Sequence, residues 1–140
     1  MVPSYKRIDI KYKGKELIEY ISVGSFLLEK IIVEKGGNME EFHVIDNCLM
    51  VKLPEEVDHH RAAYIGECAD RYIVREDVAH VVFDFEDTRF MDSSGIGIIM
   101  GRYKKISCFG GRVYAIHADK QIQRILRMAG LNKIVEIMER

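Results

Sequence analysis

The fold is decided by one continuous stretch, residues 83–105, which has the sequence FDFEDTRFMDSSGIGIIMGRYKK. It begins in the β-branched and aromatic run at residues 81–85, which favours a buried strand over a helix. A polar turn then leads to Asp92, and a helix is predicted to start near Ser94 and to run to about Ser107. The stretch therefore predicts a strand, a turn and a helix, with serines at the helix N-terminus.

Upstream of this stretch, the pattern predicts a hairpin followed by a helix. Residues 42–45 and 48–53 form the hairpin, with Asp46-Asn47 at the turn, because both residues tolerate a positive φ. Asp58 is predicted to cap the helix. Its apolar face recurs at helical spacing in Ala62, Ile65, Gly66, Ala69, Tyr72 and Ile73.

Downstream, strand and helix signals continue to alternate. Gly110-Gly111 is predicted to end the second helix, and residues 112–116 supply another strand. Asp119 caps a third helix, Gly130 occupies the C′ position, and residues 134–138 form an edge strand. The order β-β-α-β-α-β-α-β predicts an α/β fold, a mixed β-sheet with helices packed over it.

Composition narrows the class of protein. A chain of 140 residues that is 48% hydrophobic and 31% charged resembles one ordinary globular domain. A formal net charge of −1 offers no basic field for nucleic acid, and no apolar run is long enough for a bilayer or a signal peptide. Three widely spaced cysteines favour reduced thiols in a cytosol. We therefore expect a cytoplasmic protein with neither a nucleic-acid nor a membrane partner.

The first 38 residues form an N-terminal extension to the domain at residues 39–140. The breaker cluster Gly36-Gly37-Asn38 favours a linker there. Within the extension, the apolar residues Ile18, Ile21, Phe26, Leu27 and Ile31 are compatible with an amphipathic accessory helix. A second hypothesis is a gene-start error, because residues 35–39 can be encoded AAA GGA GGA AAT ATG, a ribosome-binding sequence just before a start codon.

Ser93 is placed where a phosphate could be tolerated. The free N–H groups and the dipole of a helix N-terminus favour negative charge. Gly95 and Gly97 are expected to leave the first turn bare, so that another protein can approach the serine. Ile96 and Ile98 are expected to lie exposed beside it as apolar anchors.

Several other interpretations compete for the same residues. Asp92, Ser93 and Ser94 could simply cap a helix. A dinucleotide site is disfavoured because the glycines follow the spacing G-x-G-x-x-x-G, and a serine hydrolase because Met91 replaces the first glycine of G-x-S-x-G. A receiver-type phosphoacceptor at Asp84 lacks the expected acidic cluster. No P-loop, metal triad or carboxylate pair is evident, so no catalytic residue, cofactor or metal is predicted.

Four sequence segments together resemble a known family. They are FMDSSGIGIIMGRYKKI, the upstream LPEEVDHHRA, and the downstream GGRVYAI and MAGLNKIV. Over residues 39–140 the chain resembles the STAS-domain anti-sigma factor antagonists, those of the sporulation sigma-F system above all. The resemblance implies a STAS fold and a non-enzymatic regulator of transcription.

The resemblance also implies a partner-switching cycle. The unphosphorylated antagonist binds an anti-sigma factor, which is an ATP-binding serine kinase of the GHKL type, and thereby frees the sigma factor. The kinase then phosphorylates the serine directly after the Asp of the motif, which is Ser93 rather than Ser94, and a PP2C-type phosphatase resets the protein. The partner-binding residues implied are Glu56, Asp58, His59, Asp92, Ser94, Gly95, Ile96, Gly97 and Arg102. The alternative is a ligand-binding or scaffolding STAS module in which Ser93 is only a cap.

The gene-start hypothesis predicts that the natural protein begins at Met39. Mass spectrometry of the protein isolated from its own cells should find an N-terminal peptide that starts at Met39 or Glu40. Detection of any peptide from residues 1–30 would contradict the hypothesis.

Overall fold

The computed structural model describes residues 5–13, 16–23, 26–32 and 41–138, with side chains from residue 42 to residue 138. The chain divides into two compact units, with the boundary at Gly37 and Asn38. Within the described residues, no helix combines the length and the hydropathy that a membrane span requires.

The first unit contains a three-stranded antiparallel sheet, so the prediction of an amphipathic accessory helix is wrong. Its strands are β1 (Tyr5–Lys13), β2 (Glu16–Val23) and β3 (Phe26–Ile32), in the order β1-β2-β3. Val23 pairs with Phe26 across a two-residue Gly-Ser connection. A Gly-x pair between runs of β-branched and aromatic residues is a hairpin signal. That signal outweighs the helical spacing of five apolar residues.

The second unit contains the mixed sheet predicted from the sequence. Its elements in chain order are β4 (Glu41–Ile45), β5 (Cys48–Lys52), β6 (Glu56–Val57), α1 (His59–Arg75), β7 (His80–Asp84), β8 (Phe90–Met91), α2 (Ser93–Ser107), β9 (Val113–Ile116), α3 (Lys120–Met128), a 3₁₀ turn (Leu131–Lys133) and β10 (Val135–Ile137). Five strands form the main sheet in the order β10-β9-β7-β5-β4. The β4–β5 hairpin is antiparallel and the other pairs are parallel. The predicted α/β class and the edge position of the last strand are confirmed.

The helices α1, α2 and α3 are each capped by an aspartate. The carboxylates of Asp58, Asp92 and Asp119 accept hydrogen bonds from backbone N–H groups at 2.9, 2.8 and 2.8 Å. This confirms the predicted caps of α1 and α3. Because Asp92 takes the N-cap position, α2 begins at Ser93, one residue before the predicted start. An aspartate cap is typically worth about 1 kcal/mol.

The helices cover the sheet through one continuous apolar core. Alternate residues of the strands point to the same face and contribute Leu49, Val51, Val81, Phe83, Val113 and Ala115. The helices contribute Ile65, Ile99, Ile106, Ile122 and Leu126, all with no more than 1% of their surface exposed. This core fixes the helix positions, and with them the loops that carry the candidate site.

A histidine joins the starts of two neighbouring parallel strands. The backbone N–H of Arg112 donates to Nδ1 of His80 at 3.1 Å. Burial, and secondly the charge of Arg112, lowers the pKa of His80 below its usual 6.5. The folded state therefore holds this imidazole neutral at a pH where the unfolded chain would already bind a proton.

This shift predicts a loss of stability in acid. His80 favours the folded state fully above about pH 6.5, and its contribution falls as the pH drops from there toward the lowered folded-state pKa. Urea unfolding at pH 7.5 and pH 5.5 should show a smaller loss of stability for His80→Asn than for the wild type. Equal losses in the two proteins would contradict the assignment.

Candidate functional site

Ser93 is the first residue of α2, and it is exposed. The capping role belongs to Asp92, whose carboxylate accepts from the backbone N–H of Ser94. Ser93 therefore lies on the positive end of the helix dipole without having to serve as the cap. A helix cap and an accessible serine are both present, on adjacent residues.

A two-stranded parallel ribbon places the N-termini of α1 and α2 next to each other. Val57 of β6 pairs with Met91 of β8, and the next residue in each segment is the aspartate that caps a helix. The ribbon is extended by hydrogen bonds from the N–H groups of Arg89 and Asp92 to the carbonyls of Glu55 and Val57, at 2.8 and 3.4 Å. Two segments that are distant in sequence therefore form one surface.

The residues predicted from the upstream motif lie on this surface. Glu56, Asp58 and His59 are all exposed. The Ser94 hydroxyl and Nδ1 of His59 are 3.4 Å apart, which links the first turns of α1 and α2 directly. The structure thus brings Glu56, Asp58 and His59 together with the Ser93 loop.

The two glycines of the first turn of α2 have different environments. A Cβ on Gly95 would overlap the side chain of Met91 and approach Cγ1 of Val57 at 3.3 Å, and Gly95 is buried. Its small size is needed for packing inside the protein, so the prediction that it leaves a bare surface is wrong. Gly97 is exposed, and a Cβ there would meet nothing within 4 Å. The open surface lies at Gly97 alone.

The two isoleucines are not the exposed anchors predicted from the sequence. Ile98 is 4% exposed and belongs to the core. Ile96 is half-buried and packs against that core. Both point inward because α2 packs on the sheet and on α1. The exposed apolar residues of this region are instead Phe90 and Met100, at 50% and 37% exposure.

An open groove of about 490 Å³ runs between α1 and α2 beside this surface. It is lined by His59, Gly66, Asp70, Ser94, Gly97 and Arg102, together with neighbouring residues of both helices. The groove connects the upstream motif with the second half of α2.

Arg102 lies in the groove as part of an ion-pair network. Its Nε is 2.9 Å from Oδ1 of Asp70, a contact whose angle falls short of a hydrogen bond, and Nζ of Lys105 is 2.6 Å from Oδ2. Only 11% of the Arg102 side chain is exposed, and its guanidinium occupies the place of a Cβ on Gly66. Burial lowers the pKa of Arg102 and the charge of Asp70 opposes that shift. Arg102 therefore holds α1 to α2, and only part of it faces the groove.

Four residues of this surface were not found from the sequence. The periodicity of each element could have identified Phe90 and Met100 as exposed. Phe90 alternates with buried Met91 along a strand, and Met100 lies on the same helical face as Ser93 and Gly97. Gly66 was predicted only as part of the apolar face of α1, and Asp70 carries no such signal. Their role depends on which helix packs against α1.

The surface contains no group of side chains suited to a metal ion. Among residues 42–138, the one group of three His, Cys, Asp or Glu side chains close enough to share an ion is Asp84, Glu86 and His117. None of these belongs to the Ser93 surface.

Comparison with known proteins finds one matching family and similar anti-sigma factor antagonists. A family model described as STAS domain matches residues 41–140. The anti-sigma F factor antagonist of Paenibacillus polymyxa is 38% identical over 91 residues, which are 65% of this chain and 78% of that protein.

Two solved structures of SpoIIAA have the same fold. The anti-sigma factor antagonist SpoIIAA in its unphosphorylated form has a TM-score of 0.62 and 22% identity, over 73% of this chain and 89% of that one. The Bacillus cell fate determinant SpoIIAA in its phosphorylated form has a TM-score of 0.60 and 23% identity, over 73% and 93%. At this identity the similarity establishes the fold.

The two glycines provide a matched test of the site geometry. Gly95→Ala should destabilise the domain by about 1–3 kcal/mol, because its Cβ would overlap Met91. Gly97→Ala should stabilise it by up to about 1 kcal/mol, because alanine favours an open helical position. Urea unfolding of both variants measures the difference, and equal effects would contradict the packing described for Gly95.

Proposed function

The chain belongs to the STAS domain family, and we propose that it is an anti-sigma factor antagonist that is switched by phosphorylation of Ser93. In this proposal the unphosphorylated protein binds an anti-sigma factor and frees the sigma factor that it holds. Phosphate on Ser93 then releases the anti-sigma factor. In this role the protein regulates transcription, and its relative in Paenibacillus polymyxa is named an anti-sigma F factor antagonist.

One observation carries the proposal for Ser93. It is exposed at the first position of α2 while Asp92 fills the capping role. A phosphate can therefore be added without removing the cap hydrogen bond to the N–H of Ser94. The neighbouring Ser94 is half-buried and its hydroxyl contacts His59, which makes it the poorer acceptor.

The charge of the phosphate supplies the switch. It adds about −1.5 to −2 charges at neutral pH and three acceptor oxygens. The N-terminus of α2 can tolerate that charge, so the fold should change little. A bound partner would have to bury the phosphate beside Asp92, and the desolvation and like-charge repulsion would oppose binding.

The partner surface extends from Ser93 along one face of α2. Gly97, Met100 and Lys104 follow Ser93 at intervals of four, three and four residues, and all are exposed. Phe90 adds a half-exposed aromatic ring next to the loop. Glu56, Asp58 and His59 complete the surface from the α1 side. Exposed aromatic and methionine side chains among polar residues are typical of a protein–protein interface.

The remaining partners follow from the family resemblance. The anti-sigma factor would itself be the GHKL-type kinase, and it would supply ATP and magnesium, since no phosphate-binding loop is evident in this sequence. A PP2C-type phosphatase would restore the unphosphorylated form. We place this cycle in the cytoplasm and in the control of sporulation.

Phosphorylation assays test the site. With the cognate anti-sigma kinase and ATP, intact-protein mass spectrometry should show one added phosphate on the wild type and on the control Ser94→Ala. Ser93→Ala should show none. Normal phosphorylation of Ser93→Ala would refute the site, and failure to recover any ATP-binding partner would favour a ligand-binding or scaffolding module instead.

A charge at position 93 should also weaken the complex. We expect Ser93→Asp to lose about 2–3 kcal/mol of binding free energy, roughly a 30-fold to 150-fold rise in Kd. Calorimetry should show a smaller loss for Ser94→Asp, and circular dichroism should show an unchanged fold. Wild-type affinity in Ser93→Asp would contradict the electrostatic mechanism.

A further inference from the structure

We propose that Asp84, Glu86 and His117 form a binding site for a divalent transition-metal ion, with Zn²⁺ as the best match. The three side chains offer Nδ1 of His117, Oδ1 of Asp84 and Oε2 of Glu86. The proposal is independent of the antagonist function, because none of the three residues belongs to the Ser93 surface.

The distances suit ligands of a single ion. Nδ1 of His117 lies 2.9 Å from Oδ1 of Asp84 and 3.9 Å from Oε2 of Glu86, and all three ligand atoms lie within 4.8 Å of one another. Atoms bound at about 2.0–2.2 Å from one zinc ion stand roughly 3–4 Å apart. Asp84 and His117 therefore need little adjustment. Glu86 has a side chain that is 37% exposed and long enough to close the remaining distance.

The backbone holds two of the ligands rigidly. Asp84 ends β7 and pairs with Ile116, which ends β9, and His117 is the next residue. The N–H of Phe85 donates to the carbonyl of Ile116 at 2.9 Å, and the N–H of Leu53 donates to that of Asp84 at 3.0 Å. The carboxyl ends of parallel strands are the usual place for ligand sites in α/β sheets.

Local turns aim the side chains at one another. His117 has a φ of 58°, a left-handed conformation that is uncommon outside glycine and that marks functional or tightly constrained positions. After Asp84 the chain turns back, and the N–H of Glu86 donates to Oδ1 of Asp84 at 3.0 Å. Both turns bring a ligand toward the same point.

The chemistry of the donors selects the class of ion. Two carboxylates against one imidazole form a group that favours a cation, and Asp84 and His117 are only 1% and 6% exposed. Asp84 and His117 are hydrogen-bonded to each other at 2.9 Å, and a bound ion would replace that hydrogen bond. Imidazole nitrogen suits zinc and similar ions, whereas magnesium prefers oxygen ligands and keeps its waters. Three protein ligands would leave a fourth zinc position open to water.

A bound ion would also act on the chain near Ser93. Glu86 belongs to the loop between β7 and β8, and β8 leads directly to Asp92 and Ser93. The same loop is held to the β5–β6 connection by the hydrogen bond from Arg89 to Glu55. A metal would tie this loop to the end of β9.

Zinc titration of the full chain tests the proposal. The metal-free protein is titrated with ZnCl₂ by calorimetry, with three variants beside the wild type. His117→Asn removes the nitrogen ligand and keeps a residue that tolerates positive φ, and Glu86→Gln alters a partly exposed ligand. His60→Gln is the matched control, because exposed His59 and His60 are adjacent and could bind zinc adventitiously.

We expect one Zn²⁺ per chain in the wild type and in His60→Gln, with a rise in the unfolding temperature of both. Binding should be lost in His117→Asn and weakened about tenfold or more in Glu86→Gln. The absence of saturable binding, equal binding in the wild type and both ligand variants, or loss of binding in His60→Gln would each overturn the proposal. If circular dichroism shows that His117→Asn is unfolded, the zinc titration of Glu86→Gln decides the proposal. These titrations test the metal site alone, whereas the phosphorylation assay of Ser93 tests the proposed function, so either proposal can fail without the other.

Discussion

The Ser93 surface depends on the parallel pairing of two very short strands, β6 and β8. Each strand has only two residues, and each is followed at once by the aspartate cap of a helix. Because Val57 and Met91 are paired, Asp58 and Asp92 leave the ribbon side by side. The pairing therefore brings together two helix N-termini whose positive ends favour negative charge. It sets the position of Glu56 relative to Ser93, and the contact between Ser94 and His59 fixes the first turn of α1 beside it.

Within a few residues of α2, some side chains stabilise the fold and others face the solvent. Asp92 caps α2 and Gly95 makes room for Met91, whereas Ser93 and Gly97 face outward. The helical period explains the division, since Ser93 and Gly97 are four residues apart on one face. A phosphate on Ser93 would thus alter the surface without disturbing the packing beneath it. A switch of this kind can act on a partner and leave the fold intact.

The ion pair between Arg102 and Asp70 helps to hold α1 and α2 in the positions that form this surface. It joins α2 to α1 along the groove, and Gly66 provides the space that the guanidinium occupies. Breaking a largely buried ion pair by removing one partner is costly, because the other charge is left unpaired. The family resemblance implied that Arg102 contacts a partner. In the structure, its main contact is instead with Asp70 of the same chain.

The sequence by itself determined the helices and the main strands of the second unit, the aspartate caps of α1 and α3, and the mixed α/β sheet, but not the short strands β6 and β8. These features depend on local physics, namely capping chemistry and the hydrophobic period of each segment. The identity of Ser93 as the acceptor came from the family resemblance, and it stays a proposal. The tertiary structure alone decided that Ile98 faces inward and that Asp84 meets His117 across 33 residues of chain. Periodicity can show that an element has a buried face, but only the packing between elements decides which residues meet across it.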